Sequence, residues 1–436
     1  MPDSSRRREW RLVYAAGFLY TLSLHKYFVR DPLSSGSGIQ GYLEATLICS
    51  AFVCCIIATR CTRREYTPSS VIGYFATFGA FVLISSLRSF NPILSFGEGV
   101  LFFVVLGIGY LASRAGLVKR LFQSIYWTYT ASLAVGLSIG ILLPSRFPLF
   151  SIDDYNGRTR LSVFHTFPGV SGETAAYLIL LAPLLFKRSR WASRLFLLLM
   201  NIAAGGKTST VVLILLLLVE YFYKVRVARP WRVVTTISGV CALLCVGLYV
   251  PLLGSAEVPH LLSRGVGMIY GHDVGNEAVS LDGRLEIWRE SIALLRGSPA
   301  LGYGFDGVRI TLINIASWSG QSHNGFLELG LAGGIPAVGI FLMGLFRVFR
   351  ATWCSAPQVR RQTMLVFVYM MIIALTGITF NHPSDFGFLT LILLFHLGSR
   401  SMQRAYTFKP SSRTKLSSAY ETLKLEPASL TAANKR

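Results

Sequence analysis

Runs of about 20 apolar residues follow one another along most of this chain, broken by short segments where arginine and lysine collect. A hydrocarbon core about 30 Å thick needs about 20 such residues, because an α-helix rises 1.5 Å per residue. Backbone groups in lipid must find their partners inside the spanning element, and successive runs of this length satisfy that as helices. The composition agrees: 52% of the residues are hydrophobic and 14% charged, whereas charged residues make up about a quarter of a soluble domain. The expected fold class is therefore all-α, a polytopic membrane protein with about twelve transmembrane helices. The candidate spans are 11–28, 38–58, 70–87, 97–112, 121–143, 161–186, 192–205, 208–223, 233–253, 324–346, 362–380 and 385–399.

The basic residues give the spans an orientation, since Lys and Arg accumulate in cytoplasmic loops. With the amino terminus (Arg6, Arg7, Arg8, Arg11) inside, the inner segments and the carboxyl tail hold most of the 42 Lys and Arg. The outer segments keep a minority, spread over longer stretches. This accounts for the net charge of +21 by topology and by attraction to anionic headgroups, and no nucleic-acid partner is expected. The seven cysteines show neither zinc spacing nor a disulfide framework. The expected divisions are a cytoplasmic lead at 1–10, helices one to nine over 11–253, a large outer loop at 254–323, helices ten to twelve over 324–399, and a disordered tail at 400–436.

Two glycine-rich segments resemble nucleotide motifs and fail as such. In AAGGKTST the first glycine of a phosphate loop is replaced by Asn201, and the segment is expected outside, where ATP is absent. GYGFDG carries glycines at 302, 304 and 307 but follows no strand, so a glycine turn explains it. What stands is Lys207 at an outer mouth, ahead of Thr208, Ser209 and Thr210 at a helix start that favours an anion. The span at 161–186 opens with His165, Pro168, Gly169, Gly172 and Glu173, which fits either an irregular or re-entrant start lining a polar cavity or a helix end snorkelling at the interface.

The longest polar-tolerant stretch is Ser280 to Gly334. Asp282 is a candidate N-cap, and Leu281, Leu285, Trp288, Ile292 and Leu295 recur at helical spacing before Gly297 and Pro299. This predicts an amphipathic helix of about 14 residues within the outer loop. Arg284 falls in its first turn, where a cation opposes the helix dipole unless an anion binds there. His323 and Asn324 then stand at the mouth of a glycine-rich span, and a neutral imidazole there can accept a proton. Two cations and a base on one side of the membrane suit transfer from a diphosphate leaving group.

GRLEIWRESIALLRGSPALGYGF followed by SHNGFLELGLAGG, with GGKTS upstream, resembles the O-antigen ligase and polysaccharide polymerase superfamily of bacterial envelope proteins, in particular its Wzy-type and ExoQ-like exopolysaccharide polymerases. The resemblance covers roughly 160–345. It implies a multi-pass glycosyltransferase of the inner membrane whose large loop and active site face the periplasm. It implies an undecaprenyl-diphosphate-linked glycan donor, a glycan acceptor, surrounding membrane lipid, and polysaccharide export or chain-length proteins as further partners. No cofactor and no metal are implied, and single displacement predicts inversion. By position, Arg284 would hold the diphosphate and His323 would orient or deprotonate the acceptor. Lys207 stands where the ligases have Arg, which forfeits a bidentate fork. Asn324, His165 and Trp288 are candidate acceptor or pocket residues, while Glu173, Glu286 and Asp306 receive no role. Polymerase and ligase share a donor and differ in acceptor; a lipid-linked oligosaccharide flippase and a non-enzymatic scaffold are the rival classes.

Overall fold

The computed structural model describes residues 4–27, 38–61, 70–152, 159–164, 166, 168–186, 190–224, 284–315, 320–377, 379–380 and 382–407. Helices dominate: α1 Ser4–Ser23, α2 Gly38–Cys61, α3 Ser70–Ser85, α4 Pro92–Arg114, α5 Val118–Leu142, α6 Pro168–Leu185, α7 Trp191–Ala203 and α8 Lys207–Lys224. After 225–283, which lie outside the described residues and include the expected ninth span and Asp282, come α9 Arg284–Gly297, α10 Arg309–Ile315, α11 Gly325–Trp353, α12 Pro357–Thr376 and α13 Phe386–Thr407. Seven of these helices are long and apolar enough to cross a membrane, and α7, α8 and α13 supply shorter apolar stretches. The chain is an all-α, multi-pass membrane protein.

Helix ends follow the local chemistry. Asn91 caps α4, its side chain accepting from Leu94 N at 3.3 Å, with Pro92 in the first turn, where a missing N–H costs nothing. Pro357 opens α12 in the same way. The bundle's centre is an aromatic cluster in which Phe341 packs against Phe75, Phe78, Phe380 and Phe388, with ring centroids 5.2–6.0 Å apart. Ile93 (88% exposed) and Leu87 (79% exposed) mark the rim that faces outward, as apolar side chains do in lipid.

Several boundaries differ from expectation. The basic lead is helical from Ser4, because α1 packs along α2 and α5 over its length. The segment expected as a tail at 400 continues α13 to Thr407. Ahead of α6 the irregular entry takes the form of a small antiparallel hairpin, β1 Phe150–Ile152 with β2 Thr159–Leu161, in which Ser151 faces Arg160.

One irregularity lies inside a spanning helix. At Gly334 (φ 78°, ψ 174°) α11 kinks, with Pro336 just beyond, and the GYGF turn docks into the break. Tyr303 N donates to Leu331 O at 2.6 Å, Gly304 N to Ala332 O at 2.9 Å, and Ile335 N to Pro299 O at 2.8 Å. Non-helical backbone survives at such depth because the loop supplies the missing partners. Gly302 makes this approach feasible, since its φ is +69° and a Cβ would sit 2.5 Å from Leu331 O. Gly302→Ala should therefore cost more than the ~1–3 kcal/mol of a left-handed backbone alone, read as a lower unfolding midpoint in detergent. A midpoint equal to wild type would show that the turn is not held this way.

Candidate functional site

α9 lies against α11 through a small apolar cluster of Ile287, Val308, Leu312 and Leu331, joined by Leu294, Leu295 and Tyr303. The amphipathic helix thus exists where the sequence places it, at Arg284–Gly297, but on a rotated face. Ile287 and Ser291 are buried, while Ile292 is 42% exposed. Trp288 is bound to the site's frame, donating Nε1–H to Ser322 O at 2.8 Å. Arg284 opens the helix, and its Nη1 donates to Thr376 O at 2.6 Å, at the end of α12. Its guanidinium thereby ties the start of α9 to the end of α12.

His323 stands on a tightly held turn. Asn324 is the N-cap of α11, its Oδ1 accepting from Phe326 N and Leu327 N, both at 3.1 Å. Ser322 Oγ donates to Asn324 O at 3.0 Å, and Glu328 accepts from Ser322 N. Both neighbours of His323 are thus pinned, and the residue itself is at φ 53°, a left-handed conformation that a histidine holds only when its surroundings impose it. The SHNG sequence also contains a close approach: a Cβ on Gly325 would lie 2.0 Å from Thr379 O, which brings the turn against the loop after α12. Asn324 is therefore a helix cap whose carbonyl oxygen is spent on backbone. As an acceptor or pocket residue it keeps only its NH₂ for a ligand.

Electrostatics ties three residues together. Burial first, then the charges of Arg284 and Arg160, push the His323 imidazole down to about 3, so it is neutral at physiological pH. Arg160 projects from β2 over the turn before α8, its Cγ 3.3 Å from where a Cβ on Gly205 would be. Lys207 begins α8 two residues later. The structure thus brings Arg160, Arg284 and His323 into one cationic, half-buried site and sets the start of α8 beside it. His165 lies outside the described residues. Arg160 is the residue that sequence reasoning missed: it is one of several arginines between α5 and α6, and only the hairpin turns it to the site. Glu173, left without a role, accepts from Thr379 Oγ1 at 3.2 Å, close to the Gly325 approach.

The fold and this site define a multi-pass helical membrane protein carrying a histidine among arginines at one end of its bundle. Residues 192–342, with Lys207, Arg284, His323 and Asn324 among them, match the family model described as O-antigen ligase (Wzy_C). The resemblance read from GRLEIW and SHNG to the O-antigen ligase and Wzy-type polymerase superfamily stands on that match. No curated protein matches the chain. The likeness over this stretch suggests a membrane glycan-transfer enzyme.

Proposed function

We propose that the protein polymerises undecaprenyl-diphosphate-linked oligosaccharide repeat units into exopolysaccharide at the periplasmic face of the inner membrane. The observation that carries this reading is a left-handed turn that holds His323 near enough to Arg284 and Arg160 for both charges to act on its imidazole. The donor's diphosphate binds the two guanidiniums, with Lys207 assisting at the start of α8, where free N–H groups favour an anion. Its negative charge offsets the cations that depress His323, so the imidazole gains basicity once the donor is in place. His323 Nε2 or Nδ1 then takes the proton of an acceptor hydroxyl while that oxygen attacks the anomeric carbon. The carbon–oxygen bond to the diphosphate breaks, the electron pair leaves with the undecaprenyl diphosphate, and the configuration inverts. The arginines stabilise the leaving group, so no metal is needed at the reacting bond. An O-antigen ligase would run the same chemistry on a different acceptor.

The test is reconstitution of the purified chain in liposomes with the host's lipid-linked repeat unit. Ladders of extended glycan are expected. Transfer only to a lipid A-core acceptor would convert the reading to a ligase, and movement of the unit across the bilayer without bond formation would replace it with a flippase.

Topology gives an independent check. Ser145 and Gln358 are both exposed and fall on opposite sides of the expected arrangement. Cysteines placed there in a cysteine-free background should label oppositely with an impermeant thiol reagent, Ser145 from outside. Labelling of both from outside would overturn the twelve-span orientation.

A further inference from the structure

A second group of chemically capable side chains sits where α2, α4, the loop after α12 and the GYGFDG turn meet. Glu98 of α4, Asp306 of the turn and His382 each present a ligand atom, and the three atoms lie within 4.8 Å of one another. His382 Nε2 is 3.3 Å from Glu98 Oε2. On the other edge of the ring, Ser384 Oγ donates to Glu44 Oε1 at 2.7 Å and so receives the Nδ1–H of His382, also at 2.7 Å. With Nδ1–H committed to Ser384, Nε2 is the ring atom that faces the carboxylates and pairs with Glu98, so a metal ion binding there takes the place of its proton. A histidine oriented through its far nitrogen by a hydroxyl and a carboxylate is the usual outer support of a metal ligand.

The cluster is held in place by bonds that do not depend on its charges. Ser95 Oγ donates to Phe305 O at 2.7 Å, which fixes Asp306 above the first turns of α4, and His382 N donates to Asp385 Oδ2 at 2.9 Å. Two further observations point to a ligand. Asp306 Oδ2 is shut off from solvent and accepts no hydrogen bond from the described residues, although a buried carboxylate oxygen without a donor is costly. A cavity of 590 Å³, walled by Glu98 and His382 together with Lys26, Gln40, Glu44 and Asn91, reaches the cluster and is roomy enough for an entering hydrated ion. Charge favours a cation as well. Lys26 is already taken by its ion pair with Glu44, and a divalent ion that replaces the His382 proton balances the two negative charges of Glu98 and Asp306.

We propose that Glu98, Asp306 and His382 form a site for one divalent first-row transition-metal ion, of the manganese or zinc type, that fastens the GYGFDG turn to α4. Two carboxylate oxygens and one imidazole nitrogen suit these ions better than magnesium or calcium, which prefer oxygen throughout. Bonds of about 2.1 Å require the widest separation to close by about an ångström, a small movement for a carboxylate on a turn. The ion touches none of the groups around His323, so the proposal does not rest on the transfer reaction.

The test uses the full chain, purified in detergent, freed of any affinity tag and stripped with a chelator. Mn²⁺ and Zn²⁺ are titrated separately and the retained metal is measured after desalting. About one retained ion per chain is expected for at least one of the two metals. Asp306→Asn and Glu98→Gln should each bind at least about tenfold more weakly, and Ser384→Ala about 10–100-fold more weakly through the loosened imidazole. A wild-type chain that retains neither metal, or Asp306→Asn that retains the wild-type amount, overturns the site. Should the variants aggregate, the Mn²⁺-loaded wild type decides alone: nitrogen coupling from one imidazole in its electron spin-echo spectrum supports the site, and its absence overturns it.

Discussion

His323→Ala should lower glycan transfer by about 10²–10⁴-fold, the usual contribution of a general base, while the chain stays folded and still binds donor. The turn's own bonds run through Ser322, Asn324 and Glu328, so removing the imidazole leaves its frame standing. His323→Gln separates two roles, because an amide can hold a hydroxyl but cannot take its proton at neutral pH. Wild-type rates in the Gln variant would leave His323 a positioner and end the base assignment. The acid side offers a further reading. His323 is depressed to about 3 when folded, against an ordinary value near 6.5 when unfolded. Between these limits the unfolded chain binds the proton that the folded chain refuses, so stability falls as pH drops from about 6.5. His323→Gln should flatten that part of the stability curve, whereas an unchanged slope would place its origin elsewhere.

Arg284→Ala should weaken donor use by about 10–100-fold, matching the ~1.5–3 kcal/mol of a lost hydrogen bond to a charged group. Arg284→Lys should recover only part of this, since one Nη is already bound to Thr376 O and a lysine has no second fork to offer the phosphates. Arg160→Ala should produce a loss of the same kind, and either substitution should raise the proton affinity of His323 by removing a neighbouring positive charge. In the free enzyme the inflection of kcat/KM assigned to this histidine should therefore move to higher pH. Unchanged donor dependence in both variants would be incompatible with a diphosphate site here.

How much of this was legible depended on the range of the determining interactions. The seven helices long and apolar enough to cross a membrane were readable because 20 apolar residues have few other homes, and Arg284 and His323 stood out because a cation in a helix's first turn and a histidine at a span mouth are local oddities. The register of α9 was not, since Ile287 and Ile292 are equally apolar in the sequence and only contact with Val308, Leu312 and Leu331 selects the first. Arg160 needed the hairpin that aims it. Glu98, Asp306 and His382 come from three distant segments, each unremarkable alone, and Asn324 drew notice beside His323 although its work is to cap α11. Lys207 was legible as the start of α8, where the helix does begin.

The break in α11 bears on how the protein is made. A helix entering lipid from the translocation machinery ordinarily carries its hydrogen bonds with it, yet Leu331 and Ala332 receive donors from Tyr303 and Gly304, on the segment synthesised just before. That segment must fold back on the span before it can settle without stranded carbonyls. Assembly is thus ordered, with the GYGF turn acting as the splint on which the helix sets. A chain with Gly302→Ala should linger in a protease-sensitive form after synthesis, with its carboxyl-terminal helices inserted late or lost to quality control, well before any loss of catalysis could be measured.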